Sequence, residues 1–394
     1  MRRLAWSDVL ARRLARHHLL RPAPRAKLAE VVAAVCGIHA QVMPSAELSL
    51  GLRVKGLTKK QLDVALWEKR ELVKTYGIRG TVHLVPTREL GWWLAALRAC
   101  EPDEPDPRRL AYFGVTAKQV ADAADAIEET LVGRRLTRDQ LGEEVRRRVG
   151  RWVERTVNAF GGAWPVWQIA IGVAALRGGL CFGPPQGARV TFVRPADWIG
   201  KLAAPSEATA QRDLFRRYLA AFGPASEAEF AQWATISPAR AREIARSLGA
   251  GIETVNVEGT QRWQIAGDRA GRLSASTLLL PRFDSYIVGS HPRDVLAPPA
   301  VVARAAATGL LTRRVGSGRA FLVGPLPVLV IDGTVAGIWE STRTAKRIAV
   351  RVQPLVKIEA KHRAALRAEA TRIGAIVGLE PSLEIGKVRT RPHL

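Results

Sequence analysis

Lys74-Thr-Tyr-Gly-Ile-Arg-Gly-Thr-Val-His-Leu-Val-Pro86 is the stretch on which the reading of this chain turns. The alternation through Thr81-Val-His-Leu-Val85 predicts a strand with polar groups on one face and branched apolar groups on the other. A helix ending near Trp67 is expected just before it. Arg79 between two glycines, beside that polar face, suits close approach to a polyanion. A strand lying between two hydrophobic layers gives much the same pattern, so the segment alone leaves both readings open.

Outward from this strand, a first unit is expected over residues 1–109. Helical spacing recurs at 7–17, 26–37, 45–52 and 58–67, with Ser7 and Thr58 as candidate N-caps and Gly37 ending or bending the second helix. The acidic, proline-broken run at 101–107 reads as a linker. A second unit over 116–198 repeats the scheme, with helices at 116–131, 137–149 and 164–176. Two short strands then flank the Gly-Pro-Pro-Gln-Gly turn at 183–187.

The third unit, 205–266, has helices at 209–222, 226–235 and 237–248. Strands at 251–257 and 261–266 close it around Glu258-Gly259. Helix, helix, turn, helix and hairpin is the layout of a winged helix. Finding it three times predicts an α+β chain of tandem winged-helix (helix-turn-helix) units. The pattern changes in the C-terminal region, 278–394, which reads as mixed α/β. Short strands are expected at 321–323, 328–331, 348–352 and 383–388, with a helix at 359–377.

Charge narrows the function. Sixty Lys plus Arg against 36 Asp plus Glu leave a net charge of +24 over 394 residues, and arginine supplies 48 of the cations. Such a surplus favours nucleic acid or an anionic membrane. Guanidinium suits bidentate phosphate contact, although genomic base composition also enriches arginine. Residues 343–394 carry 12 basic and four acidic side chains, which predicts a contribution to phosphate binding over a merely solvated face.

Other classes fit poorly. Cys36, Cys100 and Cys181 cannot all pair within one chain and lack metal-ligand spacing. The apolar stretch at 164–176 is too short to span a bilayer. The Arg-rich start imitates a transit peptide, but Leu4, Val9, Leu10 and Leu14 fit an amphipathic helix better. A cytoplasmic protein is expected. The adjacent His17 and His18 point in different directions on a helix, and no metal site is expected. Gly316-Ser-Gly318 lacks the Lys-Ser/Thr of a phosphate loop.

Four segments in order carry a resemblance: Gly37-Ile-His-Ala-Gln41, Arg79-Gly-Thr-Val-His83, Leu280-Pro-Arg-Phe-Asp-Ser-Tyr-Ile-Val-Gly289 and Asp332-Gly-Thr-Val-Ala-Gly-Ile-Trp339. Together they resemble the winged-helix DNA glycosylases of the AlkZ and YcaQ type. The resemblance implies tandem winged helices around a concave DNA-binding surface, removal of alkylated bases and, in some members, unhooking of interstrand crosslinks. Gln41 matches the second catalytic position, and His39 occupies the first, where glutamine is commoner.

Alkylation at N7 or N3 makes a purine cationic, so it leaves readily, and the enzyme must stabilise an oxocarbenium-like sugar and hold a water. The Gln41 amide both accepts and donates, and a neutral His39 accepts a proton. The bland alternative is a pair satisfying backbone groups at a helix end.

Arg53 and Arg79 are candidates to neutralise phosphates or to pair with surface carboxylates. Thr81 and His83 are placed at the DNA side, or His83 bonds Thr81 or the backbone. Asp284 is expected to bond backbone groups in the turn after Pro281, and Trp339 to pack in the core. No lysine occupies the proposed site, which argues against a Schiff-base step. The expectation is a monofunctional, metal-independent glycosylase without cofactor, monomeric, on double-stranded DNA with little sequence preference and no membrane partner. The rivals are a non-enzymatic regulator or architectural factor on the same basic surface, and an enzyme of self-resistance to a DNA-alkylating product.

Overall fold

A computed structural model describes residues 1–100, 106–159, 162–269, 275–308, 322 and 324–389. Most of the linker at 101–107, residues 321 and 323 of the expected strand and Gly316-Ser-Gly318 lie outside the described residues. The fold is mixed α+β. The chain divides into two compact units: Met1–Leu62 with Phe215–Trp233 and Ala241–His393, and Asp63–Leu214 with Ala234–Arg240.

The first unit is organised by a five-stranded sheet. Thr277–Leu280, Val328–Ile331, Thr334–Arg343 and Arg347–Pro354 are antiparallel neighbours, and Glu380–Ile385 joins the last of them in parallel. A parallel neighbour needs a crossover, which the helix Ala360–Val377 supplies. The sheet residues share one core with Leu14, Leu19, Leu48 and Leu52, so the C-terminal region buries its apolar face against the N-terminal helices. Helix Met43–Gly51 lies so close to helix Ala360–Val377 that a Cβ at Gly51 would sit 2.5 Å from Ile376. Arg372 also donates to the Leu52 carbonyl.

The helix Trp6–Arg16 opens this unit. The expected cap Ser7 lies inside it; Ala5 holds the cap position, and its N–H donates to the Asp8 carboxylate at 3.1 Å. Before it, Arg2–Leu4 forms a strand parallel to Ile252–Val257, which makes a hairpin with Thr260–Ile265. The hairpin turns at Glu258 (φ 45°) and Gly259 (φ 91°), the two positive φ values that a tight two-residue turn requires.

In the second unit, Leu72–Tyr76 and Val82–Pro86 pair antiparallel, with Thr75 opposite His83 and Lys74 opposite Leu84. Helices Ala117–Thr130 and Arg138–Val149 start at Thr116 and Thr137, each in a reciprocal cap with a glutamine three residues on. Leu136–Thr137, Arg189–Val193 and Cys181–Gln186 form a three-stranded sheet. The helix expected at 164–176 begins later, at Ile169, because Gly162–Pro165 pairs with Thr156–Ala159 as a hairpin. Over the stretch expected as the third winged helix, residues of both units, the helices are Glu207–Phe222, Glu227–Ala234 and Pro238–Ser247, ahead of the 252–265 hairpin of the first unit.

Candidate active site

The segment Gly37–Gln41 owes its shape to what precedes it. Helix Leu28–Ala34 stops at Val35, and the chain reverses through Cys36 (φ 57°) and Gly37 (φ 86°). A left-handed pair costs least when one member is glycine. Ile38–His39 is then extended, and helix Met43–Gly51 begins just beyond Gln41. His39 is buried at 7% exposure, whereas Gln41 faces solvent. The two residues therefore flank an apolar Ala40 with one held by protein and the other reachable.

The segment Leu280–Gly289 holds His39 in place. The Phe283 ring stacks on the imidazole, with centroids 4.8 Å apart and planes inclined by 28°. Ser285 Oγ donates to the Gly37 carbonyl at 3.0 Å, tying the same segment to the start of the Gly37–Gln41 stretch. Phe283 sits at φ 59°, a left-handed conformation costly for an aromatic residue and sustained only where the surroundings over-determine it.

Those surroundings are Asp284 and its partners. Its carboxylate accepts from both Arg53 terminal nitrogens at 2.7 Å, from Ser49 Oγ at 2.7 Å and from the Tyr286 N–H at 2.9 Å. Burial alone would raise its pKa. The Arg53 charge, with hydrogen bonds from Arg53, Ser49 and Tyr286, more than offsets this and holds the carboxyl below its ordinary range. Asp284 also caps the short helix Ser285–Gly289, as expected of a structural residue. Trp339 is core, and its Nε1 donates to the Leu280 carbonyl at 2.8 Å, fixing the near end of the segment.

Arg53 corrects the sequence reading. It is fully buried in a two-pronged pair with Asp284, so it has no route to a DNA phosphate. The acceptor geometry of Asp284 and Ser49 claims the guanidinium for the inside of the unit.

The second unit carries Arg79, Thr81 and His83 on one hairpin. Arg79 is exposed at the tip, at φ 61°. Thr81 Oγ1 donates to the Ile78 carbonyl at 3.0 Å, and the His83 Nδ1–H donates to the Thr81 carbonyl at 2.9 Å. Of the open alternatives for His83, the structure realises the bond to Thr81. Burial pushes His83 down to about 4; the Thr81 bond opposes this and Arg79 reinforces it. His83 is therefore neutral near pH 7 and brings no charge to a phosphate. Lys74, on the other strand face, lies 4.7 Å from the Phe182 ring centre, and burial together with Arg138 lowers it to about 8.

Phe283 and Ser285 are the site residues that sequence reasoning missed. The signal was present, because both flank Asp284 in the segment that carried the resemblance. Among the described residues no group of three or more His, Cys, Asp or Glu side chains could hold a metal ion, and no helix is long and apolar enough to cross a membrane.

Comparison with known proteins gives this geometry its context. An interstrand DNA cross-link repair glycosylase of Streptomyces sahachiroi is 32% identical over 353 residues, spanning 85% of this chain and 88% of the relative. The solved Streptomyces sahachiroi DNA glycosylase AlkZ superposes with a TM-score of 0.78 at 27% identity, covering 98% of this chain and 100% of that one. Residues 32–376, from ahead of the His39 loop to the end of the long C-terminal helix, match the family described as DNA glycosylase AlkZ-like, and the chain belongs to that family.

Proposed function

We propose that this DNA glycosylase hydrolyses the N-glycosidic bond of alkylated purines, N7 and N3 adducts among them, through His39 and Gln41. The observation that carries the reading is the exposed Gln41 two residues from a His39 clamped under Phe283. An alkylated purine is already cationic and needs little protonation to leave. The Gln41 carbonyl accepts from the attacking water while its amide donates, and neutral His39 takes the proton that the water releases. No metal or cofactor is required by this chemistry, and the step leaves an abasic sugar without strand cleavage.

Around this site we read three winged-helix units, at 1–109, 116–198 and 205–266, followed by the mixed region at 278–394. The duplex is bound through its phosphates with little sequence preference, by a monomer working in the cytoplasm. Exposed Arg79 at a hairpin tip and the surplus of +24 support this. Thr81 and His83 support the hairpin rather than supply charge. The relative named for cross-link repair makes interstrand crosslinks a second substrate class to test. The family assignment favours an enzyme over a purely regulatory or architectural DNA-binding protein.

The deciding experiment measures base release from duplex containing N7-methylguanine, under single turnover, for the parent and Gln41→Ala. The variant should lose most of the rate while binding DNA as tightly, because a water-positioning amide acts mainly in the transition state. Equal rates would remove Gln41 from the mechanism. Tight binding without base release by the parent would remove alkylated purines as substrates.

A further inference from the structure

The loss of Arg53 to the interior leaves the His39 segment without its expected cation, and the same stretch of chain offers another. Arg282 stands between buried Pro281 and Phe283, whose ring covers His39. It is half-buried, yet among the described residues it makes no hydrogen bond or ion pair. The comparison with other arginines of this unit is direct. Arg13, Arg53, Arg262, Arg293 and Arg372, all buried or half-buried, each donate to carbonyl or carboxylate oxygens.

A guanidinium that gives up part of its water without gaining an acceptor is disfavoured, and partial burial lowers the Arg282 pKa accordingly. Such a charge is satisfied when an external anion arrives. Its backbone is also unusually well defined: Asp284, two residues on, is locked by Arg53, Ser49 and Tyr286, and Phe283 between them is held at φ 59°.

We propose that Arg282 binds a DNA phosphate beside the nucleotide being excised, as the cation of the His39 site. This rests on the assignment of base release to His39 and Gln41. The fixed backbone carries Arg282 and the Phe283–His39 stack as one piece, so a phosphate held by Arg282 sets the register of the lesion sugar over Gln41. Guanidinium suits the role because it grips two phosphate oxygens at once, where an ammonium holds a single point.

The test is duplex binding against salt for the parent, Arg282→Gln and Arg282→Lys, with a single methylphosphonate placed in turn at each phosphate flanking N7-methylguanine. In Arg282→Gln the log–log salt slope should fall by about 0.9, the loss of one neutralised phosphate. Arg282→Lys should keep the slope and release base more slowly. At one position next to the lesion, the methylphosphonate should erase the difference between the parent and Arg282→Gln. Parallel salt lines for the parent and Arg282→Gln would overturn the proposal, as would additive effects at every flanking phosphate. Arg282→Gln should melt with the parent, and a marked drop would assign the residue to structure instead. Failure of the catalytic reading is separate: it would show as full base release by Gln41→Ala, whatever the salt slopes.

Discussion

The Phe283 ring lies over the His39 imidazole with centroids 4.8 Å apart, so the site's first polar residue is oriented by an aromatic face contributed from a segment more than two hundred residues away in sequence. Stacked aromatic pairs contribute about 0.5–1.5 kcal/mol beyond burial, or roughly two- to ten-fold in a rate that depends on ring orientation. Phe283→Leu should therefore slow single-turnover base release by that factor with DNA affinity unchanged, and Phe283→Tyr should restore it. In a His39→Gln background the Phe283→Leu effect should shrink, since no imidazole remains to orient. Fully additive effects would mean that Phe283 acts only through packing.

The Arg53–Asp284 pair should dominate the stability of the segment that supports His39. Removing one partner of a buried ion pair typically costs about 3–5 kcal/mol, because the other charge stays buried without compensation. Asp284→Ala should lower the denaturation midpoint accordingly, and Arg53→Ala should do the same from the other side. Joint replacement as Arg53→Met with Asp284→Leu should recover much of the loss. Chemical denaturation followed by far-UV circular dichroism checks this, and a loss below 1 kcal/mol in Asp284→Ala would contradict the buried pair.

This pair also shows where sequence reading stopped. Elements governed by local chemistry were legible: the helices expected from Thr116 and Thr137 start there, the Glu258-Gly259 turn joins its strands, and Val328–Ile331 falls where its apolar run placed it. The strand Thr334–Arg343 was missed although Trp339 was singled out, because in the middle of the sheet Val335–Trp339 is buried residue after residue and shows no polar–apolar alternation. Leu72–Tyr76 was missed for a related reason, since Lys74 and Thr75 look exposed until Phe182 and His83 cover them. His39 and Gln41 could be nominated from their segment. The partner of Arg53 could not, because an arginine's sequence neighbours do not disclose whether a carboxylate 231 positions away will claim it.

Two buried histidines set an expected acid limit. Burial holds His17 down at about 3, between Phe222 and Tyr286, and His83 at about 4. An unfolded histidine takes up its proton near pH 6.5, so below that pH the unfolded chain binds more protons than the native one. Stability should thus be fully retained above about pH 6.5. It should fall as pH drops toward 4 and, for His17, toward 3, by up to about 1.4 kcal/mol per pH unit for each histidine. His17→Leu should flatten the denaturation midpoint between pH 6.5 and 4 relative to the parent. An unchanged acid slope in the variant would place the sensitivity elsewhere.

Arg79 permits a clean separation of charge from conformation. Its φ of 61° is one that asparagine adopts more readily than arginine. Arg79→Asn should keep or slightly raise the melting temperature while lowering the salt slope of DNA binding by about 0.9. A lower melting temperature would mean that the side chain supports the hairpin. An unchanged slope would mean that it meets no phosphate.

His39→Gln addresses the residue in which this chain differs from the commoner glutamine pair. If neutral His39 accepts the proton of the attacking water, the parent's base release should decline as pH falls, because imidazolium has no lone pair to offer and opposes a cationic lesion. Glutamine positions water through its carbonyl and does not titrate, so the variant's rate should be flat across the same range. At neutral pH the variant should match or exceed the parent on N7-methylguanine, and at acid pH its advantage should grow. Single-turnover rates taken above the pH at which the protein begins to unfold keep the two effects apart, and a circular dichroism trace at each pH verifies the fold. Parent and variant with the same pH dependence would show that His39 acts only as a shape under Phe283, leaving water activation to Gln41 alone.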